Sequence, residues 1–155
     1  MKLPLMNQEM KSQFISTIML DVCYEDIAVH SEINESFLSD WFSVVIAKFN
    51  KQYGDITIVF CSDNYLLEMN KTHLQHDYFT DIITFDYCDG DVISGDLFIS
   101  LDTVSSNASD LKVDFIDEVH RVCVHGLLHL LGFKDKQEHD QLEMRAQEDL
   151  MLSIR

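Results

Sequence analysis

The sequence contains few proline and glycine residues, which break helices and strands, and few basic residues. Its 155 residues include 1 proline and 5 glycines, so no long linker divides it, and its length fits one domain. Lys and Arg total 11 against 27 Asp and Glu, which gives a net charge of −16. Proteins that coat DNA non-specifically need many cations to meet phosphates, so this charge excludes that class. It stays compatible with an enzyme that has a small metal or basic site.

Cysteine pairs and long apolar runs are also missing. The 4 cysteines are scattered and none belongs to a Cys-x-x-Cys pair, so we expect neither a zinc ribbon nor a thioredoxin-like site. No apolar run approaches the roughly 18 residues of a membrane span. Residues 1–11 carry charges and amides where a signal peptide has its apolar core. Scattered thiols are typical of reducing compartments, so we expect a cytoplasmic protein with no membrane partner.

The pattern along the chain predicts an α+β fold with one small mixed β-sheet packed with helices. Strands are predicted at 22–27, 56–60, 81–87 and 92–100. A turn at 88–91 makes the last two strands an antiparallel hairpin. Helices are predicted at 36–50, 63–74, 114–131 and 136–154, and more weakly at 101–111. Residues 1–18 lack a pattern, and we expect them to be a loosely held N-terminal extension.

Residues 125–135 carry a metal-binding pattern, His-x-x-x-His-x-x-Gly-x-x-Asp. His125 and His129 are four residues apart on a predicted helix, which puts both imidazoles on one face. Gly132 can end the helix in the left-handed conformation and turn the chain back, so that Asp135 reaches the same point. Two histidines and one carboxylate are an established catalytic zinc set with a fourth position open for water. The pattern therefore predicts one Zn²⁺ ion on His125, His129 and Asp135.

Two alternatives compete for the third ligand. Asp135 also fits the N-cap of the last helix, in a capping box with Glu138. His139 is a rival ligand, although its position inside the last helix is equally typical of a solvated side chain. We favour Asp135 as the ligand.

The catalytic base is less clear from the sequence than the metal ligands. Zinc proteases of this layout carry Glu directly after the first histidine as the general base, and here Gly126 stands at that position. A hydrolase of another class therefore fits better than a peptidase. The polar segment 70–81 precedes the strongest predicted strand and supplies His76 and Asp81 as candidate catalytic residues. The same segment is also compatible with a simple polar connector.

The segment from His125 to Asp135 resembles the signature of the YbeY family, His-Gly-x-Leu-His-Leu-x-Gly-Tyr-Asp-His. Residues 70–85 look like a second family block, and residues 95–97 look like a third, Gly-Asp-Ile. The resemblance covers residues 22–155. It implies a single metal-dependent hydrolase domain over residues 19–155 that acts as a zinc-dependent, single-strand-specific endoribonuclease. Its role would be maturation of the 3′ end of the small-subunit rRNA and ribosome quality control.

The resemblance also implies partners, and it has two departures. The partners would be single-stranded rRNA, the small ribosomal subunit and assembly proteins such as a GTPase, with no DNA. The third metal-binding histidine of the family falls on Asp135, and the family's arginine falls on Leu74, which cannot bind phosphate. The other functions compatible with the sequence are a zinc metallopeptidase and a non-catalytic ribosome-assembly factor with a structural metal. We expect a local cationic patch near the site, formed by Arg121, Lys134, Lys136 and Arg145.

Overall fold

The computed structural model describes residues 20–75 and 79–155, and this part of the chain is an α+β fold. Its strands are β1 (Leu20–Tyr24), β2 (Gln52–Cys61), β3 (Ile82–Asp86) and β4 (Val92–Ser100). Its helices are α1 (Glu35–Lys48), α2 (Asp63–Leu74), α3 (Leu101–Leu111), α4 (Phe115–Leu130) and α5 (Glu138–Ser153). The predicted fold class is therefore confirmed. The predicted extension at residues 1–18 lies outside the described residues.

The four strands form one mixed sheet in the order β1-β2-β4-β3. β2 pairs in parallel with β1 and with β4, whereas β3 and β4 form the predicted antiparallel hairpin. Since side chains alternate across a strand, the two faces of the sheet enter different cores. Leu97 and Ile99 belong to the larger core, which α1, α4 and α5 share, and Phe98 packs against the smaller core beside α2. The strand order leaves β3 at one edge of the sheet.

Helix α4 packs very closely against the face of the sheet that belongs to the larger core. A Cβ atom at Gly126 would lie 2.7 Å from Ile82 Cδ1 and 2.9 Å from Leu97 Cδ2. A larger residue there would require the side-chain ends of Ile82 and Leu97 to shift, so glycine allows the closest approach. This contact holds the C-terminal half of α4, with its two histidines, next to the edge strand β3.

Several boundaries differ from the sequence prediction, for reasons of tertiary structure. β2 begins four residues early because Gln52 pairs with Val92 of the hairpin, a contact that local patterning does not show. Ser62 caps α2, which begins at the predicted Asp63, since Ser62 Oγ accepts a hydrogen bond from Tyr65 N at 3.2 Å. The segment 101–111 is a regular helix whose buried residues share one face. No helix in the described ranges has both the length and the hydropathy needed to cross a membrane.

The start of the last helix was predicted wrongly, and the error bears on Asp135. Helix α5 begins at Glu138 with Gln137 as its N-cap residue, two positions later than expected. Asp135 therefore lies outside the helix and does not form the capping box with Glu138. Its side chain is free for another role.

His120 is a largely buried histidine on α4 that the fold keeps neutral. Its ring lies 5.0 Å from the ring of Phe37 and 5.5 Å from that of Trp41. Its Nδ1 accepts a hydrogen bond from Arg155 Nη1 at 2.9 Å. Burial lowers the pKa of His120 from 6.5 to about 4, with a further contribution from Arg155 and opposition from Asp117.

We expect His120 to make stability depend on pH. The unfolded chain protonates this residue below its ordinary pKa of 6.5, whereas the folded protein resists protonation down to about 4. Its contribution is therefore complete above pH 6.5 and is lost as the pH falls, by about 1–2 kcal/mol between about pH 7 and about pH 5. Urea unfolding at the two pH values measures this loss. His120→Gln should show a smaller loss, and an equal loss in both proteins would contradict the assignment.

Candidate metal centre

The site begins with the way α4 ends. His125 and His129 lie one turn apart on its exposed side. Gly132 has φ +104°, a left-handed conformation that glycine adopts without strain. Gly132 N donates to His129 O and Phe133 N donates to Leu128 O, each at 3.0 Å, so the chain reverses tightly. This reversal brings Asp135 back towards the two histidines, as the sequence predicted.

Three ligand atoms converge at this point. His125 Nε2 lies 3.1 Å from His129 Nε2, and Asp135 Oδ2 lies 3.4 Å from the first nitrogen and 3.2 Å from the second. In a tetrahedral zinc site with bonds of about 2.0–2.1 Å, two ligand atoms are about 3.3 Å apart. The three groups could therefore hold one metal ion.

The proton positions show why a cation fits. Phe133 O can only accept, so His129 Nδ1 donates the hydrogen bond of 3.0 Å between them. His125 Nδ1 donates in the same way to Glu148 Oε2, at 2.8 Å. In the neutral rings, both Nε2 atoms then carry a bare lone pair. Two bare nitrogens and a carboxylate oxygen repel one another at these distances unless a cation lies between them.

Glu148 is a candidate positioning residue that the sequence prediction missed. It lies on α5, is 3% exposed, and also accepts a hydrogen bond from Arg121 Nη1 at 3.1 Å. Burial alone would raise the pKa of Glu148, but the hydrogen bonds with His125 and Arg121 lower it. An ionised carboxylate behind a histidine ligand fixes the ring and its tautomer. The signal was its spacing, since Glu148 interrupts an apolar stripe between the buried Met144 and Met151.

A cleft of about 530 Å³ opens beside the three ligand atoms. Asp81 lines this cleft, with its side chain 30% exposed and Oδ2 lying 3.9 Å from Arg121 Nη2. Burial raises the pKa of Asp81, against the lowering effect of His125 and Arg121. Leu74 also lines the cleft. The structure thus brings Asp81 to the site, whereas His76, the other candidate catalytic residue, lies outside the described residues.

The rival third ligand and the cationic patch look different in the structure. The side chain of His139 is 74% exposed and lies 3.2 Å from Asp140, and it is not a member of the group of three converging atoms. The guanidinium of Arg121 is held by Glu118 and Glu148, and Arg145 Nη1 lies 3.9 Å from Glu148. Of the four cations expected in the patch, Lys136 alone lines the cleft. Closeness in sequence did not show that Glu118 and Glu148 pair with Arg121 and that Arg145 lies near Glu148.

Gly126 explains the missing protease base. Its Cα faces Ile82 and Leu97 of the sheet and not the cleft. A glutamate at this position would have to enter the core between α4 and the hairpin. A side chain directly after the first histidine is therefore directed towards the sheet, whereas a zinc-protease base has to face the metal.

The fold and site define an α+β protein with a two-histidine, one-carboxylate centre at the end of a helix. The chain belongs to the YbeY family, since the model of that family, described as Endoribonuclease YbeY, matches residues 20–154. A relative named Endoribonuclease YbeY from Phocaeicola vulgatus is 50% identical over 123 residues, which are 79% of this chain and 89% of the relative. One of the same name from Flavobacterium psychrophilum is 49% identical over 120 residues, which are 77% of this chain and 86% of the relative. The family resemblance seen in the sequence is confirmed.

A solved structure supports the fold. The solution structure of TM1509 from Thermotoga maritima matches with a TM-score of 0.60 and covers 86% of this chain and 89% of that protein. The two sequences are 24% identical, so this likeness concerns the fold alone.

We expect Glu148→Gln to lower the affinity for zinc about 10–100-fold, because the amide is a weaker acceptor for His125 Nδ1. Competition with a chelator of known affinity measures the change. Asp149→Asn is the matched control, since it removes the same charge from an exposed neighbour on α5. Equal zinc affinities in the two variants would show that Glu148 does not orient His125.

Proposed function

We propose that this protein is a zinc-dependent, single-strand-specific endoribonuclease that acts in rRNA maturation. The observation that carries the proposal is the convergence of two bare imidazole nitrogens and a carboxylate oxygen within 3.1–3.4 Å beside an open cleft. Membership in a family whose relatives are named endoribonucleases supports the reaction. We further propose that residues 19–155 form its single domain.

The roles of the residues follow from their contacts. His125, His129 and Asp135 would hold the ion, with Glu148 orienting the first ring and the Phe133 carbonyl the second. A zinc ion there stabilises charge on a phosphoryl oxygen and lowers the pKa of water. Asp81 is the proposed general base, because a carboxylate with a raised pKa takes up a proton more readily near neutral pH.

The number of ligands favours a catalytic ion over a structural one. Structural zinc sites are closed by four protein ligands, whereas catalytic sites leave one position open. In residues 20–75 and 79–155, the group that could hold a metal has three members, and the same three residues line the cleft. This arrangement fits an enzyme better than a non-catalytic assembly factor. Gly126 in turn disfavours the metallopeptidase.

The partners follow from charge. With a net charge of −16, the protein as a whole repels free RNA. We therefore propose that the small ribosomal subunit and its assembly proteins, such as a GTPase, supply much of the affinity through protein contacts. The proposed place of action is the cytoplasm, and the proposed wider role is ribosome quality control.

Replacement of the third ligand tests the proposed centre. We expect Asp135→Ala to lower zinc affinity more than about 100-fold and to abolish cleavage of single-stranded RNA. His139→Ala should keep both properties, because His139 is exposed and apart from the converging atoms. Metal analysis and a cleavage assay with and without chelator measure the two effects. A zinc-loaded wild type that cuts no RNA above the chelated control would overturn the nuclease function, and cleavage of casein would point to the peptidase.

Leu74→Arg should restore the phosphate contact that the family's arginine implies. Leu74 lines the cleft, so a guanidinium there would meet the RNA backbone. We expect tighter binding of single-stranded RNA at low salt and a plot of log affinity against log salt that steepens by about 0.7. Leu111→Arg is the control, since it adds the same charge at an exposed position on α3. If both variants change the slope equally, Leu74 does not lie on the path of the RNA.

A further inference from the structure

The strand beside the metal centre has one edge free of sheet pairing in the described part of the chain. Ser100 N donates to Asp81 O at 2.9 Å, and Tyr87 N donates to Ser94 O at 3.0 Å, so the N–H and C=O groups of residues 81 and 87 point towards β4. In an antiparallel pair, the N–H and C=O groups of successive residues point alternately towards the partner strand and away from it. The peptide groups that face away from β4 are those of Ile82, Thr84 and Asp86.

These outward groups border the metal cleft. Ile82, Thr84 and Asp86 all line it, together with the three proposed ligands. The Ile82 carbonyl accepts a hydrogen bond from Thr80 Oγ1 at 3.3 Å, and within residues 20–75 and 79–155 β4 is the one strand that pairs with β3. The cleft thus presents peptide N–H and C=O groups of an edge strand next to the reacting position.

The rest of the cleft is unsuited to phosphates. Among the described residues that line it, Asp81 and Asp86 carry carboxylates, and Lys136 is the one lysine or arginine. Leu74, 42% exposed, adds apolar surface. Carboxylates and carbonyls repel a phosphate, but they accept hydrogen bonds from the amino and imino groups of nucleobases. An uncharged aromatic ring with donors and acceptors on its edge matches this lining.

We propose that the outer edge of β3 is a nucleobase-binding subsite. Unpaired bases of single-stranded RNA hydrogen-bond through their Watson–Crick edges to the peptide groups around Thr84, and Leu74 packs against a base. This inference rests on the proposed ribonuclease function and adds a cause for selectivity. A base in a duplex has its Watson–Crick edge occupied and cannot pair with the strand.

Oligomers with altered chemistry separate base contacts from phosphate contacts. The probe is a fluorescent single-stranded RNA oligomer with neutral methylphosphonate linkages, titrated with the zinc-loaded protein. We expect it to bind with an affinity that changes less than about twofold between about 50 and 200 mM salt. The same oligomer with abasic residues should bind about tenfold more weakly. Equal binding of the two oligomers, or no binding of the neutral one, would overturn the proposal.

Proline at position 84 tests the peptide group directly. Because the N–H of Thr84 faces away from β4, Thr84→Pro removes it and leaves the ladder bonds of the hairpin in place. We expect this variant to bind the neutral oligomer about 2- to 12-fold more weakly than Thr84→Val, which keeps the N–H. Zinc content and the urea midpoint check that both variants are folded. The abasic comparison in the wild type decides the matter if the proline variant does not fold.

The outcomes distinguish this inference from the proposed function. If the wild type cleaves RNA but the two variants bind equally, the subsite falls and the nuclease function stands. An extended basic peptide could instead bind Thr84→Val more tightly than Thr84→Pro, while the oligomer binds both equally. The edge of β3 would then bind a protein partner, and the nucleobase subsite would be rejected. If the wild type does not cleave RNA, the proposed nuclease function fails, and the cleavage assay described with Asp135→Ala shows this independently of base binding.

Discussion

The close contact of α4 with the β3–β4 hairpin at Gly126 determines the geometry of the whole site. A Cβ there would lie within 3 Å of side-chain ends from both strands, so a larger residue would require Ile82 and Leu97 to shift. The contact places His125, the preceding residue, beside β3, and it directs any side chain at position 126 towards Ile82 and Leu97 of the sheet. It also brings the open edge of β3 next to the converging ligand atoms. The same packing contact therefore disfavours the zinc-peptidase reaction and places the edge of β3 beside the proposed ribonuclease site.

A second constraint is the buried charge behind His125. Glu118 is 1% exposed and Glu148 is 3% exposed, and Arg121 lies between them. Removing carboxylates from water is costly, and one guanidinium compensates one of them. With Asp81 and Asp135 added, four carboxylates face the two guanidinium groups of Arg121 and Arg145, so a divalent ion would balance the group. The same charges that join α4 to α5 thus also favour a metal at the helix end.

The parts of the site that depend on local geometry could be predicted from the sequence. The spacing of His125 and His129 places them on a common face of the helix. Gly132 turns the chain just after the helix ends, and this turn does not depend on how the helix packs in the fold. Glu148 could not be assigned in this way, because its contact with His125 requires α5 to pack against α4. The role of Asp135 depended on where α5 begins, and tertiary packing moved that start past the expected capping box.

The departures from the family signature are easier to understand together than singly. Besides Leu74 and Asp135, which stand where the pattern has Arg and His, this chain has Lys134 where the pattern has Asp. Each set carries no net charge when the histidine is neutral, so the formal charge of the site is unchanged while its cation has moved from the end of α2 to the loop after α4. Lys134 borders a second groove that also contains His129 and Asp135. The wall beside β3 is thereby left acidic and apolar, which favours contact with bases and leaves the phosphate to the metal centre.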